Sequence, residues 1–187
     1  MLPVRGPRLQ VRPWALDDIE VHRHWMQPHH QWHRTDGPYF PRSDEAAIDG
    51  QCTRLRERIP QGNVTMGDFR VPVADGSGAM IGSVSRYHLD STGWTALGIA
   101  IYDPEHWGRG YATEALRLWI DVVFGAYIDA HRLDLRTWSG NLGMMRVAER
   151  LGFTLEARFR EARLVEGERY DGLGYGLLRE EWVRSSS

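Results

Sequence analysis

Between an apolar run (Leu97, Gly98, Ile99, Ala100, Ile101) and a long repeat of helical period lies the segment Trp107-Gly108-Arg109-Gly110-Tyr111-Ala112-Thr113. Asp103-Pro104 closes the apolar run, because proline cannot continue a central strand. A strand, a glycine-bearing loop and a helix start in this order aim several backbone N–H groups, and the positive end of a helix dipole, at one place. Glycine at 108 and 110 removes the Cβ that would keep a phosphate away from the backbone. The chemistry on offer is anion binding. The alternative is an ordinary strand–turn–helix connection whose glycines serve only the turn.

Two phosphate loops are excluded. A dinucleotide fingerprint needs a third glycine where Thr113 stands, and a P-loop needs a lysine. The chain has no lysine; its 23 basic residues are all arginine, which also removes Schiff-base chemistry. The run does resemble the acetyl-CoA loop of the GCN5-related N-acetyltransferases, the GNAT superfamily, with Gly110 and Ala112 at its last two positions. Trp107 stands where that loop has Arg or Gln. The fuller run Trp-Gly-x-Gly-Tyr-Ala-Thr-Glu-Ala is similar to the RimJ/RimL-like branch, as is Tyr170-Asp171-Gly172 near the end of the chain. The resemblance implies that Trp107, Gly108, Arg109, Gly110, Tyr111, Ala112 and Thr113 hold the coenzyme pyrophosphate. It also implies that a freed amide around Ile99, Ala100 and Ile101 meets the acetyl carbonyl.

A second segment, Asn141-Leu142-Gly143-Met144-Met145 running on to Leu151-Gly152-Phe153, resembles the family's Asn-x-x-Ser…Gly-Phe stretch. An amide side chain at a helix start can cap the helix and also bond a peptide-like pantetheine arm; a cap alone is the competing reading for Asn141. Met144 departs from the pattern, since it cannot protonate a leaving thiolate. Either a hydroxyl such as Ser139 or Tyr170 does so, or the thiolate leaves as it is, its pKa being about 8.5. Met144 and Met145 then read as adaptable packing against the arm or the core. Relatives often carry Glu where Ala96 stands, so the general base is missing or moved. Asp36, His88 and Asp90 are the candidates, each also readable as a solvated loop or strand-end residue.

The elements that must position these residues follow from periodicity. Strands are expected from Arg8 to Trp14, Val64 to Val73, Met80 to Leu89, Thr95 to Tyr102, Arg132 to Trp138, Thr154 to Leu164 and Arg169 to Leu178. Helices are expected from Asp17/Asp18 to about Met26, from a Ser43 cap to near Pro60, after the glycine loop, and from Asn141 to Leu151. In the helix after the loop, Ala112, Ala115, Leu116, Trp119, Val122 and Val123 share one face. A strand–helix–strand step across residues 97–138 implies one parallel pair in an otherwise antiparallel sheet. The fold class is α+β (α/β/α), a single GNAT-like domain over residues 1–187 with its core at about 9–182. Its central mixed, mostly antiparallel sheet is flanked by helices.

Composition bounds the rest. With 187 residues, 42% hydrophobic, 26% charged and a formal charge of −2, neither nucleic acid nor a membrane is the expected partner. No 18-residue apolar stretch or signal-peptide core is read, and the single Cys52 fits a reducing cytoplasmic setting. Cys52 shares a helical face with Ile48, Leu55 and Ile59, which reads as a small buried hydrophobe rather than a nucleophile. His22, His24, His29, His30 and His33 invite a metal, but Pro28 and the absence of a completing ligand set argue for none. In relatives the segment with Trp25, Trp32, His33, Asp36, Tyr39 and Phe40 covers the acceptor; packing in the core is the alternative for its rings. Arg158, Arg160 and Arg163 could face the coenzyme 3′-phosphate or a partner chain, and a homodimer is compatible with them, although a solvated strand face is the default.

The expected partners are therefore acetyl-CoA as cosubstrate and an amine acceptor, a protein N-terminus or a small-molecule amine, with no metal. A polyamine acceptor is disfavoured because no dense acidic run is present. The rival from another class is a non-catalytic acyl-CoA-binding or regulatory module, kept open by Met144 and Ala96.

Overall fold

Eight strands form one sheet among the described residues, which are 2–62, 64, 70–88 and 94–185 of the computed structural model. They are β1 (Val4–Arg5), β2 (Leu9–Val11), β3 (Val71–Asp75), β4 (Met80–His88), β5 (Thr95–Ile101), β6 (Arg132–Trp138), β7 (Thr154–Val165) and β8 (Glu168–Leu178). Their spatial order is β1-β2-β3-β4-β5-β6-β8-β7. Only β5 and β6 run parallel, joined by the crossover helix α3 (Tyr111–Ala126); every other neighbouring pair is antiparallel. The remaining helices are α1 (Asp18–Trp25), α2 (Glu45–Arg58), α4 (Leu142–Arg150) and α5 (Arg179–Ser185). The architecture is α+β, a mixed, mostly antiparallel sheet with helices packed on it, as expected.

Alternation along β5 shows how the two faces are filled. Leu97, Ile99 and Ile101 pack in a large core with Leu116, Trp119, Ile120 and Val123 of α3 and Val147 and Ala148 of α4. Ala100, on the other face, packs with Ile19 of α1 and Ile48, Cys52 and Leu55 of α2, together with Trp14, Trp32 and Tyr102. Cys52 is fully buried on the expected apolar face, and burial raises its thiol pKa, away from thiolate character. Two polar groups that enter these cores are bonded: Trp119 Nε1 donates to the Ser85 carbonyl at 2.9 Å, and the Tyr102 hydroxyl to Ser83 Oγ at 2.7 Å.

Several boundaries differ from the sequence expectation for identifiable reasons. The first strand is Leu9–Val11, and a two-residue strand, Val4–Arg5, precedes it; two residues carry too little pattern to read. Asp17 does not cap α1. Asp18 turns back instead, accepting from the Ala15 amide at 2.8 Å and from both Nη atoms of Arg12 at 2.6 and 2.8 Å. Asp44, not Ser43, caps α2, accepting from the Ala47 amide at 2.8 Å. Residues 65–69 and Leu89 of the expected Val64–Val73 and Met80–Leu89 strands lie outside the described residues.

The first segment is anchored to the helix that follows the glycine loop. Glu114 Oε1 accepts from the backbone amides of Arg8 at 2.9 Å and Leu9 at 3.2 Å, while Oε2 accepts from Arg8 Nε at 2.8 Å. We expect Glu114→Ala to strand these donors and lower stability by about 1–3 kcal/mol, read from the urea midpoint. An unchanged midpoint would contradict this role. The second prediction concerns buried imidazoles. Burial pushes His22 below its ordinary 6.5, with Gln51 opposing and Arg70 adding; burial and then Arg42 push His33 the same way. The unfolded chain therefore takes up protons first as pH falls through 6.5, so stability is full above that value and is lost below it. The loss cannot exceed about 1.4 kcal/mol per histidine per pH unit. Denaturation midpoints measured between pH 7.5 and 5 should fall, and the double variant His22→Gln/His33→Gln should flatten that slope.

Candidate active site

Register decides where the sheet opens. On its β4 side, β5 is paired from Thr95 with His88 to Ile101 with Gly82. On its β6 side the pairing holds only for Thr95, Ala96 and Leu97, against Leu133, Asp134 and Leu135. Beyond Leu97 the two strands part, and the amides of residues 99–101 that face away from β4 have no strand partner. Ala96 is fully buried opposite Asp134, whose side chain is held by Arg132 at 2.6 Å and Arg136 at 3.2 Å.

A cleft of about 460 Å³ fills this opening. It is lined by Ile99, Ala100 and Ile101 of β5, by Trp107, Gly108, Gly110, Tyr111, Ala112 and Thr113 of the loop and the start of α3, and by Asn141 and Met144 at the start of α4. Gly108 and Gly110 have φ of +72° and +83°, in the left-handed region that disfavours other residues. A Cβ on Gly108 would project into open space, so the missing side chain leaves the loop backbone exposed. The amides of Tyr111, Ala112 and Thr113 precede the first helical bond of α3, from the Glu114 amide to the Gly110 carbonyl at 3.0 Å, and so lack partners within the helix. Trp107 is tied down rather than displayed, since its Nε1 donates to the Ile101 carbonyl at 2.8 Å and locks the loop to the end of β5. Arg109 does not line the cleft; its carbonyl accepts from Arg8 Nη1 at 2.5 Å. Met145 likewise packs against the core behind the cleft.

Asn141 uses both ends of its amide within the protein. Its Oδ1 caps α4 through the Met144 amide at 2.9 Å, and its Nδ2 donates to the Thr35 carbonyl at 3.0 Å. Trp138 Nε1 donates to the same carbonyl at 3.2 Å. The segment around Thr35 is thereby fastened to the cleft, and Trp32, Thr35 and Asp36 become part of its lining.

The other candidates for proton transfer are dispersed. Ser139 Oγ accepts from the Asp171 amide at 3.0 Å, joining the ends of β6 and β8, and Tyr170 packs edge-on against Trp138 with centroids 4.8 Å apart; neither lines the cleft. His88 is exposed at the end of β4, 2.8 Å from Arg86 Nη1 and 3.4 Å from Thr95 Oγ1, away from the cleft. Asp90 lies outside the described residues. Asp36 is the only carboxylate among the described lining residues, and Arg70 Nη2 holds it at 3.0 Å. The structure adds His106, Arg146 and Arg150, which were not singled out from the sequence. Arg146 and Arg150 are an i, i+4 pair on α4, a spacing that any solvated helix face also shows. With the dipole of α3 they make the cleft electropositive, suited to a polyanion.

The histidines divide between two places. His24, His29 and His30 cluster beside Trp25, with ring centroids 4.2 to 5.0 Å apart, while His22 and His33 are buried elsewhere. Among the described residues no three of His, Cys, Asp or Glu are grouped as a metal site, and no helix is long and apolar enough to cross a membrane.

Known proteins share this fold. The family model described as Acetyltransferase (GNAT) domain matches residues 8–154. The prophage-derived uncharacterized N-acetyltransferase YokL of Bacillus subtilis is 24% identical over 148 residues, covering 79% of this chain and 77% of its own. Among solved structures, the spermidine N-acetyltransferase of Vibrio cholerae, in complex with CoA and spermine, superposes with a TM-score of 0.74 at 18% identity, covering 95% of this chain and 99% of that one. The ribosomal-protein-S5-alanine acetyltransferase of Vibrio fischeri superposes with a TM-score of 0.72 at 21% identity, covering 97% and 99%. At these identities the two structures speak for the fold alone. The family match spans most of the chain, including β5, the glycine loop and α4, and this protein belongs to the GNAT family of acetyltransferases.

Proposed function

We propose that the chain moves the acetyl group of acetyl-CoA to a primary amine, by direct attack within a ternary complex. The observation that carries this reading is the parting of β5 from β6 directly beside the left-handed glycine loop, within one electropositive cleft. Amides of the loop and of the first turn of α3 would hold the pyrophosphate, joined by Arg146 and Arg150. Asn141 and Met144 would border the pantetheine arm, with Met145 supporting from behind. An amide of residues 99–101 facing the opening would donate to the developing oxyanion, where a preorganised donor contributes most.

Asp36 is the residue we assign to the amine, accepting its proton directly or through water. The amine nitrogen bonds to the acetyl carbon as the carbon–sulfur bond breaks; the sulfur leaves as thiolate and the amine proton passes to Asp36 and then to solvent. No proton donor is required at Met144, because the thiolate is a tolerable leaving group at neutral pH. The run from Trp107 to Ala115 favours the RimJ/RimL-like branch, and the single Cys52 fits a reducing cytoplasmic setting.

Two measurements test this reading. Gly110→Asp places a carboxylate and a strained φ of +83° at the phosphate loop, and should weaken acetyl-CoA binding at least tenfold while the circular dichroism spectrum is retained. Unchanged affinity would remove the loop from the coenzyme site. Asp36→Asn should lower kcat for thiol release across a panel of amines by roughly 10²-fold, with acetyl-CoA affinity retained. Coenzyme binding without acceptor-dependent thiol release in the parent protein would instead favour a non-catalytic acyl-CoA module.

A further inference from the structure

A second cavity, of about 520 Å³, adjoins the coenzyme cleft and shares Trp32 and Asp36 with it. Its wall is cationic. Arg54 and Arg58 come from one face of α2, Arg42 from the loop before α2, and Arg70 from the residue before β3. Against Arg42, Arg54 and Arg70 the described lining offers one carboxylate, Asp36, and that is paired with Arg70 at 3.0 Å. Arg42 is held rigidly by neutral partners, donating to the carbonyls of Asp36 and His33, so its charge meets no carboxylate there. Arg54, exposed on α2, has no ion-pair partner among the described residues.

Two buried histidines border the cavity. His22 and His33 are 5% and 8% exposed, and both line it. His22 Nδ1 and His33 Nε2 are buried without a hydrogen-bond partner among the described residues. Buried polar atoms of this kind are rare in folded proteins, and being closed off from solvent they stand behind the cavity wall rather than in it. Cations from separate segments and a shared boundary with the cleft mark this cavity as a site for an anion.

We propose that this cavity binds the carboxylate of the acceptor, and that the acceptor is a small amino acid-like amine rather than a polyamine. The proposal rests on the acetyl-transfer reading of the neighbouring cleft and names the substrate class for it. Arg42 and Arg54 supply charge-assisted hydrogen bonds to the carboxylate, and the amine end passes Trp32 and Asp36 into the cleft. A spermidine-like polycation meets like charge here, which excludes it by repulsion. The reaction is the one given above: the amine nitrogen gains the acetyl carbon, the thiolate departs, and the carboxylate stays in place as a handle.

The test measures acceptor-dependent thiol release with L-glutamate, L-aspartate and glycine, against the amidated form of each, propylamine, spermidine and the peptide Glu-Ala-Ala. Free amino acids should show kcat/KM at least tenfold above their amides and above spermidine. Arg54→Glu should raise KM for L-glutamate at least tenfold, leaving acetyl-CoA affinity and turnover of propylamine unchanged. Calorimetry of L-glutamate with the parent protein, and its loss in Arg54→Glu, reads the cavity without any turnover. Equal kcat/KM with and without the carboxylate, preference for spermidine, turnover of the peptide alone, or no glutamate binding would each overturn the proposal. Glutamate binding that depends on Arg54, in a protein that does not bind acetyl-CoA, would sink the transfer reading and leave the anion site standing.

Discussion

The parting of β5 from β6 after Leu97 is the constraint on which the site depends. A sheet interior normally leaves no backbone donor unpaired, because a buried unpaired amide is costly. Here four residues of β5, Gly98 to Ile101, keep their partners on β4 and have none on β6, and the gap becomes the cleft wall. The opening is supported from outside. Trp107 binds the Ile101 carbonyl, α3 packs its fully buried Leu116, Trp119 and Ile120 beneath the sheet, and Glu114 ties the start of that helix to β2. A pair of strands that would otherwise close is held apart by groups whose own bonds are satisfied.

A single carbonyl then links the two cavities. Thr35 accepts from both Trp138 and Asn141, so the segment bearing Trp32, His33 and Asp36 is fixed to the end of β6 and the start of α4. That attachment sets Asp36 between a cleft suited to a phosphorylated coenzyme and a cavity lined by arginines. It also explains why Asn141 matters beyond capping: its amide positions the acceptor side from the coenzyme side. Both cavities are electropositive, and in each Asp36 is the lone carboxylate of the described lining.

Much of the fold was legible because it is written in short periods. The β6 span and its alternating Leu133 and Leu135, the apolar face of α3, the Gly152 stop and the Glu166-Gly167 turn all follow from spacing within a few residues. Caps were less legible. Asp17 and Ser43 are reasonable caps by type, but Arg12 drew Asp18 back toward the preceding loop and Asp44 stood one residue closer to its helix. Type alone does not say which of two adjacent polar residues reaches the free amide. Among the proton-transfer candidates, residue type likewise said nothing of place: Ser139 was already committed to β8, His88 faced solvent, and only Asp36 and Asn141 reached the cleft.

The amino-acid sequence by itself determined the strand–glycine loop–helix unit and the capped helix after it. Those features depend on local φ, on helical period and on a few adjacent amides, all present in one short stretch of chain. What lies opposite that unit was decided only by tertiary structure. The second cavity draws Trp14, His22, Arg42, Arg54 and Arg70 from segments scattered over more than fifty residues, each of which reads alone as a solvated cation or a packed ring. Their combined field exists only once the sheet and the two N-terminal helices have brought them around one space.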